Sequence, residues 1–273
     1  MNKIDTSKDM GADAPLNAKG ERYGEGYCKT LHDYHEILWS KELPSGTVFT
    51  LKSVQSDTDP PYFQLHHSSE LGKFIFTSDW TCNTYLDRWN WMPEIRKIIT
   101  ELRRAEKEQF NTISTKIGNY IVFPKGTKDP DPVPKPYDRY KSKTTWGINS
   151  ARGLDEKICD RFDLTLECIR LWYSDIKDAE QNPLAVALDY SKEFLKLFES
   201  FPTYVKYFLL DDLVDSEYSN VEFWLPFYGF NNSEHKPLPQ NLEEYRKYIS
   251  AVTGFINARN SRIEKWDKAP KEA

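Results

Sequence analysis

Two carboxylates four residues apart, Asp163 and Glu167, share a helical face with Arg170 in the run Asn149–Tyr173 (NSARGLDEKICDRFDLTLECIRLWY). At about 100° per residue, Asp160, Asp163, Glu167 and Arg170 fall within about 80° of one another. The opposite side of the same helix carries an apolar stripe of Ile158, Phe162, Leu166, Ile169 and Tyr173. Leu164 and Leu171 border the charged strip, which predicts a helix largely enclosed by protein. Like charges at i,i+4 repel unless a cation stands nearby, and Arg170 supplies one. A carboxylate pair in a half-buried cleft suits general acid/base chemistry or the binding of a cation. An internal salt-bridge network has the same signature, and both readings stay open at this point.

Ahead of that helix lies a compact polar turn, Asn149-Ser150-Ala151-Arg152-Gly153. Free backbone N–H groups at a helix start, joined by an arginine, favour a phosphate or carboxylate. The turn is not a P-loop, since GxxxxGK[ST] is absent, and Ser150 also suits a plain N-cap. Far along the chain, Leu242, Tyr245, Ile249, Val252, Ile256 and Ile263 form a helical stripe with Arg259 inside it. An inward arginine must be satisfied, because an unpaired buried charge costs several kcal/mol. Asp163, Glu167 or the Asp211–Asp212 pair would serve, and so would a bound anion. Asn149, Ser150, Arg152, Arg170 and Arg259 are therefore the candidate ligand-binding residues, with Asp163 and Glu167 the candidate acid/base pair. The expected ligand is small, anionic and nucleotide-like.

Other chemistries have less behind them. His32 and His35 stand three apart, and His66 and His67 are adjacent, but no further ligand has recognisable metal spacing, and no metal site is expected. Cys28, Cys82, Cys159 and Cys168 contain no CxxC and read as reduced thiols. Trp80, Trp89 and Trp91 read first as core. No serine or cysteine sits in a nucleophile-elbow or papain-like context, and the sequence points to no particular cofactor.

The elements that must position these residues follow from pattern. The 273 residues include 8 Trp, 16 Tyr and 15 Phe, enough aromatic area for a core with polar tips inside it. The net charge of −5 is spread along the chain, which argues against a nucleic-acid binder. No run approaches the roughly 18 apolar residues of a membrane span, and a cytoplasmic location is expected. Residues 1–20 read as a disordered leader and 267–273 as a frayed tail. Between them, 21–266 reads as one α+β domain, a small β-rich part (40–148) packed on a predominantly helical part (149–266). A short helix is expected within Tyr27–Trp39, and strands at Thr47–Val54, Tyr62–His66 and Gly72–Thr77. Pro93 opens a helix to about Lys107, and Phe110–Ser114 with Asn119–Phe123 reads as a strand pair. Pro124–Lys143 reads as a loop. Helices follow to Phe198 and over Thr203–Val214, with an aromatic loop at Trp224–Phe230 suited to docking a protein partner. A capping box at Asn241 and Glu244 starts the last helix, running to about Trp266.

The segments GNYIVFP, TTWGINSARGLDEKICDRFDLTLECIRLWY, NPLAVALDYSKEFLKLF, YVKYFLLDDLV, VEFWLPF and FINARNSRI occur in order. Together they resemble a family of bacterial and prophage proteins of unknown function, over about residues 72–263. Lys125–Lys143 looks like an insertion relative to that pattern, and the chain before about residue 40 is not covered. The resemblance implies a bacterial or prophage setting but no assigned activity and no catalytic residues.

Overall fold

The structure is a computed structural model that describes residues 4–69, 71–84, 86, 90–124, 161–178, 180–230 and 238–268. Its chain follows an α+β order, with sheet in the first half and helices after it. Helix α1 (Lys29–Trp39) leads into a short hairpin, β1 (Lys41–Glu42) with β2 (Val48–Phe49). Strands β3 (Lys52–Gln55), β4 (Phe63–Ser69), β5 (Gly72–Trp80) and β6 (Tyr120–Pro124) then form one antiparallel sheet in the order β3-β4-β5-β6. Helices α2 (Pro93–Glu101) and α3 (Arg104–Ser114) lie between β5 and β6 in sequence.

The alternation of β4 explains which face of the sheet is covered. Phe63, Leu65 and His67 are buried while Gln64 and His66 are half-buried, the period-2 pattern of a sheet with one packed face. Phe74 and Phe76 sit across from His67 and Leu65 in the register of β4 and β5. These rings meet Phe194, whose centroid lies 6.0 Å from Phe74, 5.3 Å from Phe76 and 6.1 Å from Phe123. Phe194 comes from the helical half, so the aromatic cluster is the seam between the two parts.

That half contains α4 (Phe162–Tyr173), α5 (Ala185–Tyr190), α6 (Lys192–Leu195), α7 (Phe201–Tyr207) and the 27-residue α8 (Leu242–Lys268). Asn241 Oδ1 accepts the Glu244 N–H at 2.9 Å, the N-cap bond expected from the sequence. At the far end of α8, Gly118 approaches so closely that a Cβ there would lie 2.6 Å from the Ile256 carbonyl and from Asn260 Oδ1. The Gly118 N–H donates to that same Asn260 oxygen at 2.8 Å.

Several expectations are corrected. Phe110–Ser114 is the last turn of α3, and the helix opened by Pro93 stops at Glu101. The stretch Thr47–Val54 divides into β2 and β3 around Thr50–Leu51, and the helix from Thr203 ends at Tyr207. Part of the expected leader is packed: Ile4 and Met10 are buried, and the Met10 N–H donates to the Thr115 carbonyl at 2.9 Å. The Ile4 N–H reaches Asp267 on α8, and the Asp5 N–H reaches the Tyr34 hydroxyl. Two widely spaced apolar residues among polar ones gave no periodic signal from which this could be read. Pro124 closes β6, and the rest of the loop Pro124–Lys143 lies outside the described residues.

Candidate functional site

Helix α4 carries the candidates, and its burial shows which of them can meet a ligand. Phe162 through Leu166, Cys168, Ile169 and Trp172 are buried, and only Glu167, Arg170, Leu171 and Tyr173 are partly open. Positions 167, 170 and 171 recur at helical spacing, so α4 shows solvent one narrow strip. Asp163 is not on it.

Asp163 is wholly buried and ion-paired with Arg161, whose Nε donates to Oδ1 at 3.0 Å and whose Nη2 donates to Oδ2. Asp163 Oδ2 also accepts the Trp224 N–H at 3.0 Å. Both oxygens are taken, and the carboxylate anchors the segment entering the aromatic loop instead of facing a cleft. A carboxylate so held has no path to a ligand proton, which corrects its place in the acid/base pair. Arg161 escaped the sequence reading because it precedes the helix, in extended backbone, where the wheel places no face.

Glu167 and Arg170 form a separate pair. Arg170 donates from Nε to Oε2 and from Nη2 to Oε1, 2.7 Å each, a parallel two-bond arrangement. These bonds raise the pKa of Arg170, partly offset by burial, so the guanidinium is firmly charged. Its Nη1 has no hydrogen-bond partner among the described residues.

The pair stands between two clefts. Arg170, Tyr173 and Ser174 line the first, of about 460 Å³, together with Glu199–Phe201 and the Tyr218–Ser219 turn. Glu199 (φ 63°) and Tyr218 (φ 54°) hold left-handed backbone there, two of the four non-glycine residues that do so among those described. Such a conformation costs roughly 1–3 kcal/mol and persists only where surrounding contacts impose it. The Tyr218 N–H donates to the Asp215 carbonyl, and its hydroxyl donates to Asp211 at 3.0 Å. Burial and that acidic neighbour push the phenol's pKa up, keeping it a donor.

Glu167 and Leu171 line the second cleft, of about 520 Å³, facing Phe227–Phe230 and flanked by Glu180 and Gln181. The loop is held by tilted and edge-on ring contacts, with Phe223 and Phe227 centroids 4.9 Å apart and Phe227 and Phe230 4.8 Å apart. Gly229, at φ 102°, supplies the backbone freedom that the turn between them requires.

Arg259 is inside the protein, with no exposed surface. It donates to backbone carbonyls: Phe208 at 3.2 Å, Gly118 at 3.0 Å and Tyr120 at 2.7 Å. Its expected carboxylate partners are engaged elsewhere, Asp211 and Asp212 with Arg262, one turn further along α8. The guanidinium also lies 5.6 Å from the Trp39 ring centroid, and Lys41 Nζ lies 5.1 Å from that same centroid. Burial pulls Arg259 down to about 9 and Lys41 down to about 7. Arg259 therefore stays charged at neutral pH and ties α8 to β6 and to the end of α7. Its enclosure corrects the expectation that it faces a bound anion.

Asn149, Ser150 and Arg152 lie outside the described residues, as does Cys159. The histidines at helical spacing are internal: His35 bonds Ser78 at 2.7 Å and accepts the Trp39 indole N–H at 3.0 Å. His32 bonds the Cys28 carbonyl at 2.9 Å. Cys28, Cys82 and Cys168 are buried free thiols, and burial pushes Cys28 up to about 12. Among the described residues no group of three His, Cys, Asp or Glu side chains is arranged to hold a metal ion. Nor is any described helix long and apolar enough to cross a membrane.

Residues 4–263 match the family described as Family of unknown function (DUF6994). The chain belongs to that family. The DUF6994 match begins at residue 4, which places the packed N-terminal segment inside the family domain and extends the region expected from the sequence. No curated protein and no solved structure matches the chain.

Proposed function

We propose that this protein is a small-ligand-binding domain whose ligand carries a phosphate or carboxylate, received by Arg170 in the first cleft. The observation behind this reading is the unused Nη1 donor of a charged, half-buried arginine in a cleft with two strained non-glycine residues. Backbone strain concentrates where a surface is shaped for a partner. Tyr173 and Tyr218, both partly exposed, give the cleft aromatic surface for a base or similar flat group, and serines complete its lining. A nucleotide-like ligand satisfies both features. Turnover has less support, because Asp163 is enclosed and Glu167 is committed to Arg170. The bacterial or prophage setting and the cytoplasmic location belong to the same proposal, resting on the resemblance and on the chain's polarity.

Inorganic phosphate and adenosine monophosphate are the probes, followed by amide chemical-shift changes. Shifts centred on Ser174, Ser200 and Ser219 that vanish in Arg170→Gln support the reading. Shifts elsewhere, or none at millimolar probe, contradict it. A second reading, docking of a protein partner on the aromatic loop, is favoured by Tyr228, a residue 59% exposed.

A further inference from the structure

The Glu167–Arg170 pair has one member on each of the two clefts, Arg170 on the first and Glu167 on the second. The two clefts therefore share a single ion pair. The second cleft is lined by Glu167 and Glu180 together with Phe227, Tyr228 and Phe230. Carboxylates beside aromatic faces form the environment that recognises a guanidinium. The planar cation stacks on a ring while its N–H groups fork onto a carboxylate, and an ammonium matches this less well. Tyr228, more than half exposed, carries the aromatic wall out to the surface, so residues flanking such an arginine are covered as well.

We infer that the second cleft receives an arginine side chain of a partner protein, and that an anion in the first cleft promotes this through the Glu167–Arg170 pair. An anion that engages Arg170 weakens its hold on Glu167, and Glu167 then turns its charge toward the incoming guanidinium. In the reverse direction, an arginine that takes Glu167 frees Arg170 for the anion. Linkage requires the two effects to be equal in size. The coupling rests on the anion-binding reading above; without an anion, an incoming arginine reaches Glu167 only by displacing Arg170 from it.

The test uses the full chain and a synthetic peptide, Ac-Gly-Arg-Leu-Gly-NH2, with versions carrying citrulline or lysine in place of arginine. Isothermal titration is run with and without saturating inorganic phosphate. The arginine peptide is expected to bind at least about tenfold more tightly than the citrulline peptide, the factor that about 1.4 kcal/mol represents. Glu167→Gln and the surface variant Tyr228→Ala should each weaken it several-fold, and the exposed position of Tyr228 makes that variant safe for folding. Phosphate should tighten peptide binding in the wild type and leave it unchanged in Arg170→Gln. Equal affinity for arginine and citrulline peptides, or no binding, overturns the arginine site. Phosphate that binds without altering peptide affinity overturns the coupling. If phosphate does not bind at all, the reading of the first cleft and the coupling fail together, and the arginine site is judged on the peptides alone.

Discussion

Arg259 and Arg170 are the same residue type in opposite circumstances, and their difference separates architecture from a site. Arg259 has no exposed surface and no carboxylate partner among the described residues; backbone carbonyls hold its Nε and Nη1, an indole face lies beside it, and its Nη2 is sealed inside without a hydrogen-bond partner. Arg170 has a carboxylate on two of its nitrogens, a third left over, and a side chain 24% exposed at the edge of a cleft. A charge closed in by carbonyls fixes where elements sit. A charge half-satisfied at a cleft edge has capacity left for something else.

If that contrast is right, substitutions in the two regions must fail in different ways. The largest effect is expected from Arg259→Ala, which strands the carbonyls of Gly118, Tyr120 and Phe208. Loss of such a buried group costs about 3–5 kcal/mol, read as a lower urea midpoint with no selective loss of ligand. Asp163→Ala should cost about as much by leaving Arg161 charged and buried, and should also loosen the aromatic loop, seen as faster amide exchange at Trp224. Gly118→Ala drives a methyl group against the Ile256 carbonyl and is expected to cost about 1–3 kcal/mol.

The interior cluster also predicts a pH dependence. Burial holds His35 well below its ordinary value of 6.5, with His32 and Arg259 acting in the same direction. The unfolded chain takes up a proton near that value while the folded chain does not. Stability is therefore complete above pH 6.5 and erodes as the pH falls below it. His35→Gln should flatten this acid limb in denaturation midpoints compared across pH. Arg170→Gln should do least to stability, under about 1 kcal/mol, because partly solvated pairs contribute little. It should nonetheless remove phosphate binding, and that dissociation of stability from binding is what sharpens the comparison.

Much of this arrangement was legible in the sequence, and the parts that were not have physical reasons. The near-enclosed helix around Phe162–Tyr173, the inward position of Arg259 and the cap at Asn241 follow from helical periodicity, which is local. The partner of each charge is not local. The wheel put Asp163 beside Glu167, but one helical position decides whether a side chain points to the core or to the rim, and these two fell on opposite sides of that line. Arg259 and Arg262 are one turn apart, and only packing determined that Asp211 and Asp212 pair with the second. The strand expected at Phe110–Ser114 is a helix because the capping contacts of Arg103 and Glu106 start one upstream at Arg104, six residues before the β-like run itself. The clefts are built from segments far apart in sequence, and no spacing rule brings Tyr218 to Arg170.

The most direct test of the central claim is a guanidinium Nε–H NMR spectrum recorded during titration with inorganic phosphate. The Arg170 signal should move with the titration, while the Arg259 signal stays fixed and exchanges slowly with solvent, as a closed interior requires. A phosphate-dependent shift at Arg259 with none at Arg170 would contradict the account.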